Sequence, residues 1–136
     1  MAKSPAFQAP RSWTDPSFSL DTYDLVFLPG GHEKGVRQLI DSPVVQQQLA
    51  VYFPKTRKPS TKTIAAVCHG VLALSEAKLP DGKSVMHDTT TTALPSAMEE
   101  FAFWGTRLFL GDYYKTYGKG SESVETAVRI SRGMSK

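Results

Sequence analysis

Cys68 is the single cysteine of this 136-residue chain, and a histidine and a glycine follow it directly. It closes the apolar run Thr63-Ile64-Ala65-Ala66-Val67, and a helix-like segment, Val71 to Lys78, begins after Gly70. A strand that stops at a nucleophile and turns sharply through small residues into a helix is a nucleophile elbow. The turn exposes the side chain, and the helix N-terminus favours its anionic form. Thiolate is the reactive species of cysteine, so such a site activates the thiol. His69 can carry protons near neutral pH. The backbone amides of His69 and Gly31 are natural donors to the oxyanion that thiol attack would create. A free cysteine also packs well as a small hydrophobe. The His-Gly behind it and the matching glycine turn upstream favour the nucleophile.

Placing these groups together requires strands that end at the same edge. Asp24 to Leu28 is a short apolar run ending in Pro29-Gly30-Gly31, which predicts a buried strand feeding a tight turn. Ser42-Pro43 supplies an N-cap and a first helical position. The helix that follows sets Val45, Leu49, Tyr52 and Phe53 on one face, and Pro54 stops it. After the elbow and its helix, Asp81-Gly82 marks a turn before a strand expected over Ser84 to His87. Ser96 opens a helix containing Phe101, Trp104, Arg107 and Leu108. Strand and helix alternate, which predicts an α/β fold with a mostly parallel sheet between helices. Sites in such sheets lie at the carboxyl ends of strands, so the turns after Leu28 and Val67 can bring Gly31 and Cys68 together. Met1 to Asp21 is rich in Pro and Ser and reads as an irregular N-terminal arm held by Phe7, Trp13 and Phe18.

Composition bounds the remaining possibilities. Hydrophobic residues make up 40% and charged residues 21%, so residues 1–136 read as a single globular domain. No run of eighteen apolar residues predicts a membrane span, and the first thirty residues lack a signal-peptide pattern. A lone cysteine forms no internal disulfide, in keeping with a reducing, cytoplasmic location. The net charge is +3. Lys55, Arg57, Lys58 and Lys62 cluster in a Pro- and Thr-containing linker without aromatic interleaving, so a solvated loop is expected and no nucleic-acid partner. The three histidines are scattered and give no ligand pair at metal spacing; neither metal nor cofactor is expected. The stretch Gly30 to Gly35 lacks the spacing of a phosphate-binding loop.

Asp24-Leu-Val-Phe-Leu-Pro-Gly-Gly-His32, followed by Ala66-Val-Cys-His-Gly70, resembles the ThiJ/PfpI superfamily of the class I glutamine amidotransferase-like fold. The later stretches Ala93 to Glu100 and Gly111 to Tyr117 are similar to its heat-shock-type glyoxalase/chaperone branch. The resemblance implies a flavodoxin-like sandwich and usually a homodimer. It implies a Cys-His-acid site that converts methylglyoxal, a small dicarbonyl, to lactate without glutathione. Peptidase action and holdase chaperoning also occur in the superfamily, and the alternatives for this chain are a cysteine peptidase or amidase and a stress-responsive chaperone or redox sensor without turnover. His69 takes the acid/base position, and His32 the place of a pocket-lining histidine. Members of the superfamily begin with a strand and helix carrying a glutamate close to the nucleophile, and they end in further sheet and helix. The chain therefore reads as a middle section of an incomplete fold, with exposed sheet edges that favour self-association.

Two readings of Glu99 stand side by side. Ser96-Ala-Met-Glu99 fits a capping box, with Glu99 reaching back to the Ser96 amide. Glu99 also falls 31 residues after Cys68, about where the heat-shock-type branch places the acid that orients its histidine, with Glu100 as the fallback. Glu33 stands near the glycine turn, and His87 reads as structural or surface.

Overall fold

Two short apolar runs pair as parallel strands, and everything that positions the site follows from that pairing. In the computed structural model, which describes residues 4–133, the chain-order elements are α1 (Pro5–Gln8), β1 (Leu25–Leu28), α2 (Arg37–Ile40), α3 (Pro43–Tyr52), β2 (Thr63–Ala66), α4 (Val71–Glu76), α5 (Ser96–Leu110) and α6 (Val124–Ser131). Leu25 pairs with Thr63 and Leu28 with Ala66, so both strands end at the same edge. A parallel pair needs a crossover, and α2 with α3 supplies it. β1 alternates by the two-residue period of a strand: Val26 and Leu28 are buried, Leu25 and Phe27 exposed. The α/β class expected from the sequence is the class observed.

Ser42 caps α3 through the Val45 amide at 3.4 Å, with Pro43 at the first helical position. The buried face of α3 carries Val45, Leu49 and Tyr52. Complete burial of a leucine such as Leu49 contributes about 2 kcal/mol. Tyr52 has a polar end to satisfy. Its hydroxyl lies 3.1, 3.2 and 3.3 Å from the carbonyl oxygens of Tyr23, Asp24 and Thr63, so it tethers the entrances of both strands. Desolvation by burial raises its pKa above the usual phenol value. The short helix α4 is buried from Val71 to Ser75 and packs against α2, α3 and α6.

Three expectations are corrected. Helix α4 ends at Glu76 rather than Lys78, because Ala77 turns extended and Lys78 forms an isolated antiparallel bridge with Ser84. The strand expected over Ser84 to His87 is only that bridge followed by turns. The Ser84 hydroxyl accepts from the Met86 amide at 3.2 Å and donates to the Leu74 carbonyl at 3.2 Å, bending the backbone locally. In the N-terminal arm, Trp13 and Phe18 line an apolar cavity with Leu20, Val26 and Leu49, whereas Phe7 lies outside it and is 66% exposed.

Helix α5 buries only Glu99 and Phe103. Phe101, Trp104, Leu108 and Phe109 face outward. The Arg107 guanidinium covers the Trp104 ring at 5.0 Å. No helix of the described residues is long and apolar enough to cross a membrane.

Candidate active site

Strand β2 stops at Ala66, Val67 continues extended, and Cys68 then takes a left-handed backbone with φ 53°. It is the one described non-glycine residue at positive φ. This conformation costs about 1–2 kcal/mol for a residue with a Cβ. A single 3₁₀ turn, Cys68–Gly70, then leads into α4. This is the strained strand-to-helix elbow expected from Ala66 to Gly70. Sequence-adjacent side chains normally diverge. Here the reversal at Cys68 sets its Sγ 3.3 Å from Nδ1 of His69.

The elbow is held by a second turn. Val67 donates to the Leu28 carbonyl at 3.1 Å, extending the strand pairing by one residue. A Cβ built on Gly30 would lie 2.3 Å from the Val67 carbonyl oxygen, 2.6 Å from Cys68 Cβ and 2.9 Å from the His69 nitrogen. A Cβ on Gly70 would lie 2.4 Å from the Leu28 oxygen and 2.8 Å from that of Pro29. The two turns therefore interlock through their glycines. Gly31, the residue singled out from the sequence, meets no atom within 4 Å of its built Cβ. Gly30 makes the close approach, and it was missed. The signal available was its place immediately after a Pro that ends a strand, in line with the elbow.

His32 arrives from the first turn. Its ring stands edge-on to His69 at 4.8 Å between centroids and to Tyr114 at 4.7 Å, and Tyr113 lies 6.3 Å away. The Tyr113 segment is fastened nearby by Lys34 and Asp112, 3.2 Å apart, and by the Tyr117 hydroxyl donating to Asp41 at 2.5 Å. Burial and the Asp41 acceptor push the Tyr117 pKa up. His69 itself is 2% exposed. Burial lowers its pKa to about 4, with a smaller contribution in the same direction from His32. The imidazole beside the thiol is thus neutral at neutral pH. The side-chain ligand atoms of His32, Cys68 and His69 all lie within 4.8 Å of one another. Linear spacing had made these histidines look scattered.

Glu99 goes elsewhere. Its buried carboxylate accepts from the Val124 amide at 3.0 Å, at the first residue of α6, and lies 3.8 Å from the buried Lys115 ammonium. The Ser96 amide donates instead to Glu125 at 2.7 Å, so the capping-box expectation is corrected. Among the described residues Glu99 forms no hydrogen bond to His69. Glu100 pairs with Lys115, whose hydrogen bond holds its carboxyl below the usual range. Glu33 closes its own turn on the Gly35 amide at 2.5 Å. His87 lies outside the His32–Cys68–His69 cluster. Glu99→Ala is expected to cost about 2 kcal/mol, since it strips the buried Lys115 ammonium of one of its two carboxylates and leaves the Val124 amide without its acceptor, although Ser123 still caps α6. Denaturant unfolding checks the loss, and alkylation of Cys68 in the folded variant should keep its parental rate. A changed alkylation rate at unchanged stability would instead make Glu99 an orienting group.

The comparisons with known proteins agree with this architecture. An uncharacterized protein of Schizosaccharomyces pombe is 33% identical over 78 residues, which cover 57% of this chain and 29% of that protein. The crystallographic structure of a protein designated APC35852 superposes with a TM-score of 0.51 at 26% identity, covering 80% of this chain and 41% of that one. The chain thus spans less than half the length of either relative. A family model described as ThiJ/PfpI family-like matches residues 1–126. With the elbow, its interlocked glycine turn and that match together, the chain belongs to the ThiJ/PfpI family.

Proposed function

We propose that this chain is a glutathione-independent glyoxalase that turns methylglyoxal into lactate through Cys68. The observation that carries the reading is the 3.3 Å approach of Cys68 Sγ to Nδ1 of His69 at a strained elbow. The thiol proton passes to His69 Nδ1 as sulfur bonds to the aldehyde carbon, giving a thiohemiacetal. The amides of His69 and Gly31 receive the developing oxyanion. His69, relieved of its proton by that oxygen, takes the hydrogen from the former aldehyde carbon and forms an enediol. Return of that proton to the neighbouring carbon leaves a lactoyl thioester. Water cleaves the thioester, releasing lactate and restoring the thiol. No external oxidant or reductant is consumed. His32, beside His69, faces the substrate in this reading, and a free catalytic thiol suits a reducing, cytoplasmic setting.

The test is lactate formation from methylglyoxal in glutathione-free buffer. Lactate above the protein-free rate supports the reading. A folded chain that forms none, yet hydrolyses a dipeptide amide, assigns the same thiol to peptidase or amidase chemistry.

The outer face of α5 favours a second reading, a client-holding chaperone that needs no turnover. Phe101, Leu108 and Phe109 are 81%, 93% and 88% exposed, a contiguous apolar strip of the kind that binds unfolded chains or a second copy of the same chain. Suppression of client aggregation that survives loss of the thiol distinguishes it.

A further inference from the structure

We propose that His32, Cys68 and His69 form a three-ligand site for a soft divalent cation of the zinc type, and that metal and substrate compete for Cys68. The competition rests on the proposed role of Cys68 as nucleophile; the metal site rests on geometry alone. Zinc holds thiolate at about 2.3 Å and imidazole at about 2.0–2.1 Å, so tetrahedral coordination sets neighbouring donor atoms roughly 3.3–3.6 Å apart. Cys68 Sγ and His69 Nδ1 already stand at 3.3 Å. The largest separation within the three donors is 4.8 Å, which modest rotation of the half-buried His32 ring closes.

Adjacent residues seldom coordinate one ion together. The left-handed φ of 53° at Cys68 removes that obstacle by turning Sγ toward the neighbouring ring. One sulfur and two imidazole nitrogens select zinc, cobalt or cadmium over magnesium or calcium, which prefer oxygen. Three protein donors leave a fourth position for water. Tyr114 packs edge-on against the His32 ring at 4.7 Å. Binding replaces the S–H bond by an S–metal bond and releases one proton, with no change in oxidation state. Bound metal occupies the sulfur lone pair that would attack the carbonyl, so loaded protein is catalytically silent and chelation restores it.

The experiment titrates the reduced, untagged full chain with Co²⁺ and reads its absorption spectrum. One Co²⁺ per chain is expected, with a thiolate-to-cobalt charge-transfer band and the intense visible bands of four-coordination, all bleached by Zn²⁺. Cys68→Ser should lose the charge-transfer band. His32→Ala should weaken binding by more than the roughly 10–100-fold that loss of a merely supporting group costs. His87→Ala, outside the cluster, should bind as the parent does, and circular dichroism confirms that each variant is folded. A parent chain without the charge-transfer band overturns the site, as does unchanged affinity in folded His32→Ala. Cobalt bound through Cys68 in a chain that makes no lactate leaves the site standing and removes the glyoxalase reading. Lactate formation undisturbed by saturating Zn²⁺ overturns the competition.

Discussion

Cys68→Ala is expected to lose methylglyoxal turnover by at least about 10³-fold while the chain stays folded. Removal of a covalent nucleophile from comparable sites costs up to about 10⁶ in turnover, and a lower bound allows for residual rate from the oxyanion donors. The fold should survive because the thiol is half-buried and belongs to no packed cluster of core side chains. Lactate assays on parent and variant side by side read the first part, and near-UV circular dichroism the second. Turnover that persists in the variant would remove Cys68 from the chemistry. A companion substitution isolates the strain. Alanine keeps a Cβ at φ 53° whereas glycine does not, so Cys68→Gly should be more stable than Cys68→Ala by about 1 kcal/mol. In an unstrained position the order is the opposite.

Gly30→Ala should be the most damaging substitution that touches no reacting atom. The new methyl would meet the Val67 carbonyl oxygen at 2.3 Å and the His69 nitrogen at 2.9 Å. Both are main-chain atoms, and the third neighbour is the Cβ of Cys68, so nothing can rotate aside. The two turns must separate, at an expected cost of about 3 kcal/mol. Misplacement of the thiol and imidazole by about 1 Å reduces turnover about 100-fold even in the molecules that fold. Urea unfolding and single-turnover lactate formation measure the two effects separately. Gly105→Ala is the control. It lies on α5 with no atom within 4 Å of its built Cβ, and should gain up to about 1 kcal/mol from helix propensity. Equal behaviour of the two variants would show that the close approach at Gly30 has no energetic weight.

The elbow was legible from sequence because its signal is local: an apolar run, a nucleophile, small residues and a helix follow in order from Thr63 to Glu76. Helix α3 was legible for the same reason, with its cap, its proline and its buried face all within eleven residues of Ser42. The pairing of β1 with β2 followed from the alternation of elements. What could not be read were the competitions settled at long range. Glu99 has the right spacing to cap its own helix, yet Glu125 takes the Ser96 amide and leaves Glu99 to the start of α6. Ser84 to His87 has strand-like composition, but the Ser84 hydroxyl satisfies nearby backbone and bends it into turns. His32 lies 36 positions before Cys68, so only folding shows that its ring meets His69. The close fit of Gly30 was hidden because a glycine required by packing looks, in a sequence, like a glycine required by a turn.

The interlocking of Gly30 and Gly70 has a consequence for how this chain can vary. Each residue is the mould into which the other turn fits, so positions 30 and 70 lie under a single constraint although forty residues separate them. Random mutagenesis with selection for a working thiol should return glycine at both. Suppressors of a change at one should map to the opposite turn, near Leu28 and Pro29 for position 70, or Val67 for position 30. The elbow and the turn after β1 then behave genetically as one locus, and neither can be transplanted into another scaffold without its counterpart.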